Sequence, residues 1–179
     1  MVPLLAIAAR SGTGKTTLLK QLIPVLKARG IRPGVIKHTH HNMDVDTPGK
    51  DSYELRKSGA DQVMIASQQR WALIVEAPRH EELDLQYLAA QMDASQLDII
   101  LVEGFKHEQI AKIALWREEH SSNISELLDK HVIAVASDSE LNVDVPVLDL
   151  NNPEQIADFI INWLILFSRK ANTERIISM

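Results

Sequence analysis

A chain of 179 residues, 45% hydrophobic and 24% charged, has material for one globular domain with its own core, and this balance points away from disorder and from a membrane span. A net charge of −5 with scattered Lys and Arg argues against a general nucleic-acid binder, and the absence of cysteine removes disulfides and thiolate metal sites. The expectation is a cytoplasmic protein.

The first apolar run, Leu4–Ala8, reads as a short buried strand. No basic region precedes it and it flows straight into a polar loop, so it does not read as a signal peptide. That loop, Ser11-Gly12-Thr13-Gly14-Lys15-Thr16-Thr17, fits the P-loop pattern G-x-x-x-x-G-K-[ST] except that Ala9 stands where the first glycine belongs. A methyl group is tolerated there unless the loop demands positive φ. Gly12 and Gly14 let consecutive N–H groups turn toward phosphate oxygens, and the following helix adds its dipole. Lys15 would neutralise the β- and γ-phosphates and Thr16 would ligate Mg²⁺. The plainer reading is a strand-to-helix turn with a solvated lysine, but Leu18, Leu19, Leu22, Ile23 and Leu26 then recur at helical spacing, which supplies the strand–loop–helix context of a phosphate cradle.

A second strand over Gly34–Lys37 leads into a long polar loop, Lys37 to Ser52, of a length that is usually functional. Its Asp46, with Asp44 as fallback, is the candidate metal-side acid, and Lys50 and Ser52 are candidates to reach the γ-phosphate as a nucleotide-ordered switch. His38, His40 and His41 invite a metal reading, but their spacing fits no standard zinc pattern. Hydrogen bonding to phosphate or loop backbone is favoured, with His38 nearest the site.

Helical patterns cover Asp51–Ser58 and Glu82–Met92, and between them Gln62–Ser67 and Trp71–Glu76 are so closely spaced that an antiparallel hairpin is expected. The strand Ile99–Val102 ends in Glu103-Gly104, the form of a Walker B strand whose carboxylate would hold Mg²⁺ through its water. Lys112–Trp116 is a further strand, and the segment Arg117-Glu118-Glu119-His120 has too few arginines for a kinase lid. After the strand Val132–Ala136, Asp138 is open to two readings: a guanine reader accepting from N1–H and N2–H₂, or a cap for its own turn. No N-K-x-D tetrad occurs, so a Ras-type GTPase is not supported.

A short strand, Val145–Leu148, precedes the last helix, which has Asn152 as N-cap and Pro153 at N1. Its stripe of Ile156, Phe159, Ile160, Trp163, Leu164 and Phe167 reads as core packing. The apolar stretch 159–167 is too short to span a bilayer. The tail 169–179 lacks periodicity and is expected to fray. Alternation of strands and helices gives an α/β, P-loop NTPase-like fold, a mostly parallel sheet flanked by helices, within a single nucleotide-binding domain over 1–168.

The strings Ser11–Thr17, Ile36-Lys37-His38-Thr39-His40-His41, Pro48-Gly49-Lys50-Asp51-Ser52 and Leu101-Val102-Glu103-Gly104-Phe105-Lys106 together resemble the MobB family of molybdopterin-guanine dinucleotide biosynthesis adapters over nearly the whole chain. The resemblance implies GTP as ligand with Mg²⁺, weak GTPase activity, a homodimer, and action beside the guanylyltransferase that attaches GMP to molybdopterin. Lys15 and Glu103 would carry what catalysis there is. With Thr16, Asp46 and Glu103 on the metal and no evident arginine finger, turnover should be slow. The competing readings are a small-molecule kinase of the same fold class and a metal-insertion GTPase using the histidine loop, which the lack of cysteine disfavours.

Overall fold

Both faces of a parallel sheet are covered, so its strands carry apolar side chains at every position rather than at alternate ones. The computed structural model describes residues 2–39, 44–77, 83–105, 108–120 and 123–177, without the side chains of 120, 171, 172 and 174–177. It contains the strands β1 (Leu4–Ala8), β2 (Pro33–Lys37), β3 (Gln62–Ala66), β4 (Trp71–Val75), β5 (Ile99–Glu103), β6 (Ala111–Trp116), β7 (Val132–Ser137) and β8 (Val147–Asp149). The helices are α1 (Lys15–Ala28), α2 (Asp51–Lys57), α3 (Leu85–Ala90) and α4 (Pro153–Ile177). Contacts divide the chain into two compact units, Met1–His38 with Leu85–Met179, and Thr39–Asp84.

In the larger unit, six strands pair in the order β2-β5-β1-β6-β7-β8, all parallel. Side-chain alternation sends Leu5, Ile7, Ile99, Leu101, Ile113 and Leu115 to one face, where they pack with Leu22 and Leu26 of α1 and Ile156 and Ile160 of α4. The opposite face sends Ala6, Ile100 and Val102 against Leu85 of α3, and Ala114 and Val135 against the segment around Ile124–Leu128. Every residue of β5 is buried.

Helix ends match their sequence signals. Gly30, at φ 80, closes α1 as its N–H bonds the Lys27 carbonyl at 3.0 Å and that of Ile31 bonds the Leu26 carbonyl at 3.0 Å, the paired bonds of a Schellman motif. At the start of α4, Asn152 Oδ1 accepts from the Gln155 N–H at 3.1 Å, as an N-cap does. The backbone of α4 is helical through Ile177, past Arg169 where fraying was expected. No helix among the described residues is long and apolar enough to cross a membrane.

The smaller unit holds the expected hairpin as a separate two-stranded sheet, with Val63 opposite Ile74 and Met64 opposite Leu73. It also holds α2, none of whose residues is buried. The expected helix over 82–92 is shorter, Leu85–Ala90, and its start at Glu82 lies outside the described residues.

Candidate functional site

Because β1 lies between β5 and β6 while the chain leaving β1 passes to β2, beyond β5, the sheet changes direction at β1. In an open α/β sheet, ligands bind at such a switch point, outside the carboxyl ends of the strands. The loop Ala9–Gly14 leaves β1 at that edge and enters α1.

Gly12 and Gly14 have φ of 83° and 98°, which side chains rarely adopt. No non-glycine among the described residues has positive φ, so Ala9, almost fully buried, sits in a conformation open to any residue. Gly14 is the N-cap of α1 without a capping side chain, and the first turn has no acid, which leaves the positive end of the helix available to an anion. Lys15 Nζ donates to the carbonyls of Ala9 at 3.2 Å and Arg10 at 3.0 Å, which holds the ammonium over the loop. Ser11, Gly12, Thr16 and Thr17 are exposed, whereas Thr13 is buried and its hydroxyl donates to the Arg10 carbonyl at 3.0 Å. The Thr13 side chain therefore braces the loop, together with its own N–H, which donates to the same Arg10 carbonyl at 3.4 Å.

At the neighbouring strand end, Thr16 Oγ1 donates to Glu103 Oε1 at 3.3 Å, and Lys37 Nζ lies 3.6 Å from the same oxygen. Glu103 is only 8% exposed, so this carboxylate is held by partners inside the protein. The hydroxyl and carboxylate named from the sequence as metal-side groups are thus brought together, and hard oxygen donors suit Mg²⁺. Gly104, at φ 100, has a second constraint: a Cβ there would lie 3.0 Å from the His38 carbonyl oxygen. The His38 N–H donates to the Glu103 carbonyl at 2.8 Å, and its ring sits 5.0 Å from that of Phe105. His38 therefore stands at the same sheet edge as the loop.

Asp138 is held by groups of the chain itself. Its carboxylate accepts from the Glu118 N–H at 3.1 Å and from Arg117 Nη1 at 3.3 Å. The turn after β7 is instead capped by Ser137, whose Oγ accepts from the Ser139 N–H at 3.0 Å. Arg117, which sequence reasoning passed over as a poor lid, donates through Nε to the Thr13 carbonyl at 3.1 Å. Its place directly after β6, next to β1 in the sheet, was the available signal. Arg10 pairs with Glu126. Beside Asp138, Ser137, Leu141, Leu148 and Gln155 help to line an open cleft of about 720 Å³ at the tips of β7 and β8.

The remaining candidates belong to the unit Thr39–Asp84. Asp46 is paired with Arg56 at 2.8 Å, its side chain 3% exposed, and the guanidinium hydrogen bonds hold its carboxyl below the usual carboxylate range. Lys50 is the exposed residue that precedes α2, its carbonyl accepting from the Glu54 N–H at 3.0 Å. His40, His41 and Lys106 lie outside the described residues. Among the described residues no group of three or more His, Cys, Asp or Glu could hold a metal ion, and the histidine-loop reading falls mainly on His40 and His41, outside those residues.

Comparison with known proteins agrees with this geometry. Residues 4–138 match the family described as "Molybdopterin guanine dinucleotide synthesis protein B". The chain is 68% identical over 165 residues to the molybdopterin-guanine dinucleotide biosynthesis adapter protein of Escherichia coli K12, covering 92% of this chain and 94% of that one. It is 52% identical over 163 residues to the adapter protein of the same description from Haemophilus influenzae, covering 91% and 90%. A crystal structure of a molybdopterin-guanine biosynthesis protein B superposes with a TM-score of 0.74 at 28% identity, covering 90% of this chain and 98% of that one.

Proposed function

The chain belongs to the molybdopterin guanine dinucleotide synthesis protein B family, and on that premise we propose that it is a GTP-binding adapter in molybdenum cofactor biosynthesis. The observation that carries this reading is the convergence of a glycine-turned loop, an uncapped helix start, Lys15, and the Thr16–Glu103 pair at one sheet edge. Backbone N–H groups of 12–17 and the Lys15 ammonium bind the phosphates. Mg²⁺ would be held by Thr16 and Glu103, and when bound it would offset charge on the phosphate oxygens. His38, at the same sheet edge, completes the proposed nucleotide contacts.

Slow hydrolysis at most is the expectation. Arg10 is engaged by Glu126 and Arg117 by the Thr13 carbonyl and Asp138, so neither is turned toward a transferring phosphoryl group. Without an arginine finger, turnover on the order of 10⁻³ s⁻¹ or less follows. Such a rate suits a carrier or sensor that acts beside the guanylyltransferase and molybdopterin. A homodimer is favoured by the uncovered apolar face of the β3–β4 hairpin, where Met64, Trp71, Leu73 and Val75 are all exposed.

The deciding experiment is calorimetry with GTP and ATP plus Mg²⁺ on the unaltered chain and Lys15→Ala. The variant should lose about 100-fold or more in affinity, the scale of removing a charge-assisted phosphate contact together with its helix-end partner. Unchanged affinity would refute the site. Rapid transfer of the γ-phosphate to an added acceptor would replace the adapter reading with the kinase one.

A further inference from the structure

Arg117, directly after β6, reaches the phosphate loop through a carbonyl rather than toward the cradle. Arg117 Nε donates to the Thr13 carbonyl at 3.1 Å, and its Nη2 lies 3.8 Å from where a Cβ on Gly14 would stand. Its Nη1 donates to Asp138, whose second carboxylate oxygen is held by the Glu118 N–H. Both side chains are largely shielded, 30% and 23% exposed. The result is a chain of contacts from the tip of β7 to the Thr13–Gly14 peptide.

That peptide has a special place in the loop. A trans peptide is planar, with its C=O and N–H pointing in opposite directions. Pinning the Thr13 carbonyl outward therefore aims the Gly14 N–H inward, where a phosphate oxygen would accept from it. Gly14, at φ 98, does not by its own backbone preference exclude the alternative peptide orientation, so a contact on the Thr13 carbonyl helps to select one.

We propose that Asp138, Arg117 and the Thr13 carbonyl form a positioning relay that presets the Gly14 N–H for phosphate, so that Asp138 acts on the phosphate end of the nucleotide rather than by reading its base. The inference rests on the nucleotide site proposed above. Arg117 is a positioning residue here, acting through the loop peptide. The relay predicts that breaking either link weakens binding of all nucleotides alike, because the Gly14 N–H meets phosphate whatever the base.

The test compares Arg117→Ala, Asp138→Asn and the double variant with the unaltered full chain, reading GTP and ATP affinity by calorimetry and the Gly14 amide resonance without nucleotide. Arg117→Ala should weaken both nucleotides about tenfold, the scale of one hydrogen bond to a charged group. Asp138→Asn should weaken both by a smaller common factor, and the double variant should be no worse than Arg117→Ala. The Gly14 amide should shift in each variant while resonances of β2 and β8 stay in place. If Arg117→Ala does not fold, Arg117→Lys carries the test, since one ammonium cannot hold both partners and the Gly14 amide must still move. A lost GTP preference in Asp138→Asn with Gly14 unmoved would overturn the relay in favour of base reading, and unchanged affinity in Arg117→Ala would overturn it outright. Failure of Lys15→Ala to weaken binding would instead remove the nucleotide site, and the Gly14 shift would still decide the relay.

Discussion

The two units of the chain are ordered by different forces. In the larger one, the central strands are covered on both faces, β5 has no exposed residue, and among the described residues the buried polar ones other than Lys112 (Thr13, Glu103 and Ser137) all lie at the carboxyl edge where the loops gather. In the unit Thr39–Asp84, α2 buries no apolar side chain, and Met64 and Trp71 are 62% and 64% exposed. Among the described residues that unit is tied by the hairpin ladder and by Arg56, which pairs with Asp44, Asp46 and Glu76. A phosphate site needs backbone groups fixed to fractions of an ångström, and only the first kind of order supplies that through close packing. The second kind depends on pH and salt and leaves apolar surface to be covered.

Truncating the larger unit's core is the most severe challenge to this contrast. Leu22 is fully buried between α1 and the sheet. Leu22→Ala should lower unfolding free energy by about 2–5 kcal/mol, as cavity-forming core substitutions do. Urea titration followed by far-UV circular dichroism measures it. A loss below about 1 kcal/mol, within the scatter of surface changes, would mean that burial does not order the larger unit.

Strands were legible in the sequence in both units, the β3 and β4 hairpin as well as the sheet. Strands buried on both faces announce themselves as apolar runs, so β1, β5, β6 and β7 were readable to within a residue, as was the stripe of α4 that buries Ile156, Ile160 and Leu164. The loop glycines and the Glu103 strand end were readable because their chemistry is local to the motif. Arg117 was not, because its partner Thr13 is 104 residues away and only the neighbouring of β6 and β1 brings them together. Asp46 illustrates the opposite failure. An acid in a polar loop looks like a metal-side residue, and nothing in the string shows that Arg56, ten residues on, shares a buried pair with it.

That pair gives the intermediate test. Arg56→Ala leaves three carboxylates without their shared guanidinium, so the hairpin amides of β3 and β4 should exchange several-fold faster while those of β1, β5 and β6 keep their protection. Acid should act in the same direction. The Asp46 carboxyl is held low by Arg56, so its contribution is fully present above the unfolded value of about 3.9 and disappears as pH falls through its lower folded value. Resonances of the smaller unit should therefore broaden or shift below about pH 4 in the unaltered chain, and Arg56→Ala should abolish the Asp46 part of that change. Equal loss of protection in both units would show that they unfold as one.

The smallest effect on folding is expected on the uncovered hairpin face. Because residues directly opposite in an antiparallel pair share a face, Met64, Leu73, Val75 and Trp71 lie together on one side, while Val63 and Ile74 are turned to the other. Side chains that exposed gain little from folding, so Trp71→Ser should change unfolding free energy by no more than about 0.5 kcal/mol. Self-association, measured by sedimentation across a concentration series, should respond far more strongly if a second copy covers this face, since a central aromatic anchor typically contributes about 2 kcal/mol or more at an interface. A large folding defect in Trp71→Ser with unchanged association would reverse the assignment: the face would then be part of the unit's own core, and the contrast between the two kinds of order would no longer hold.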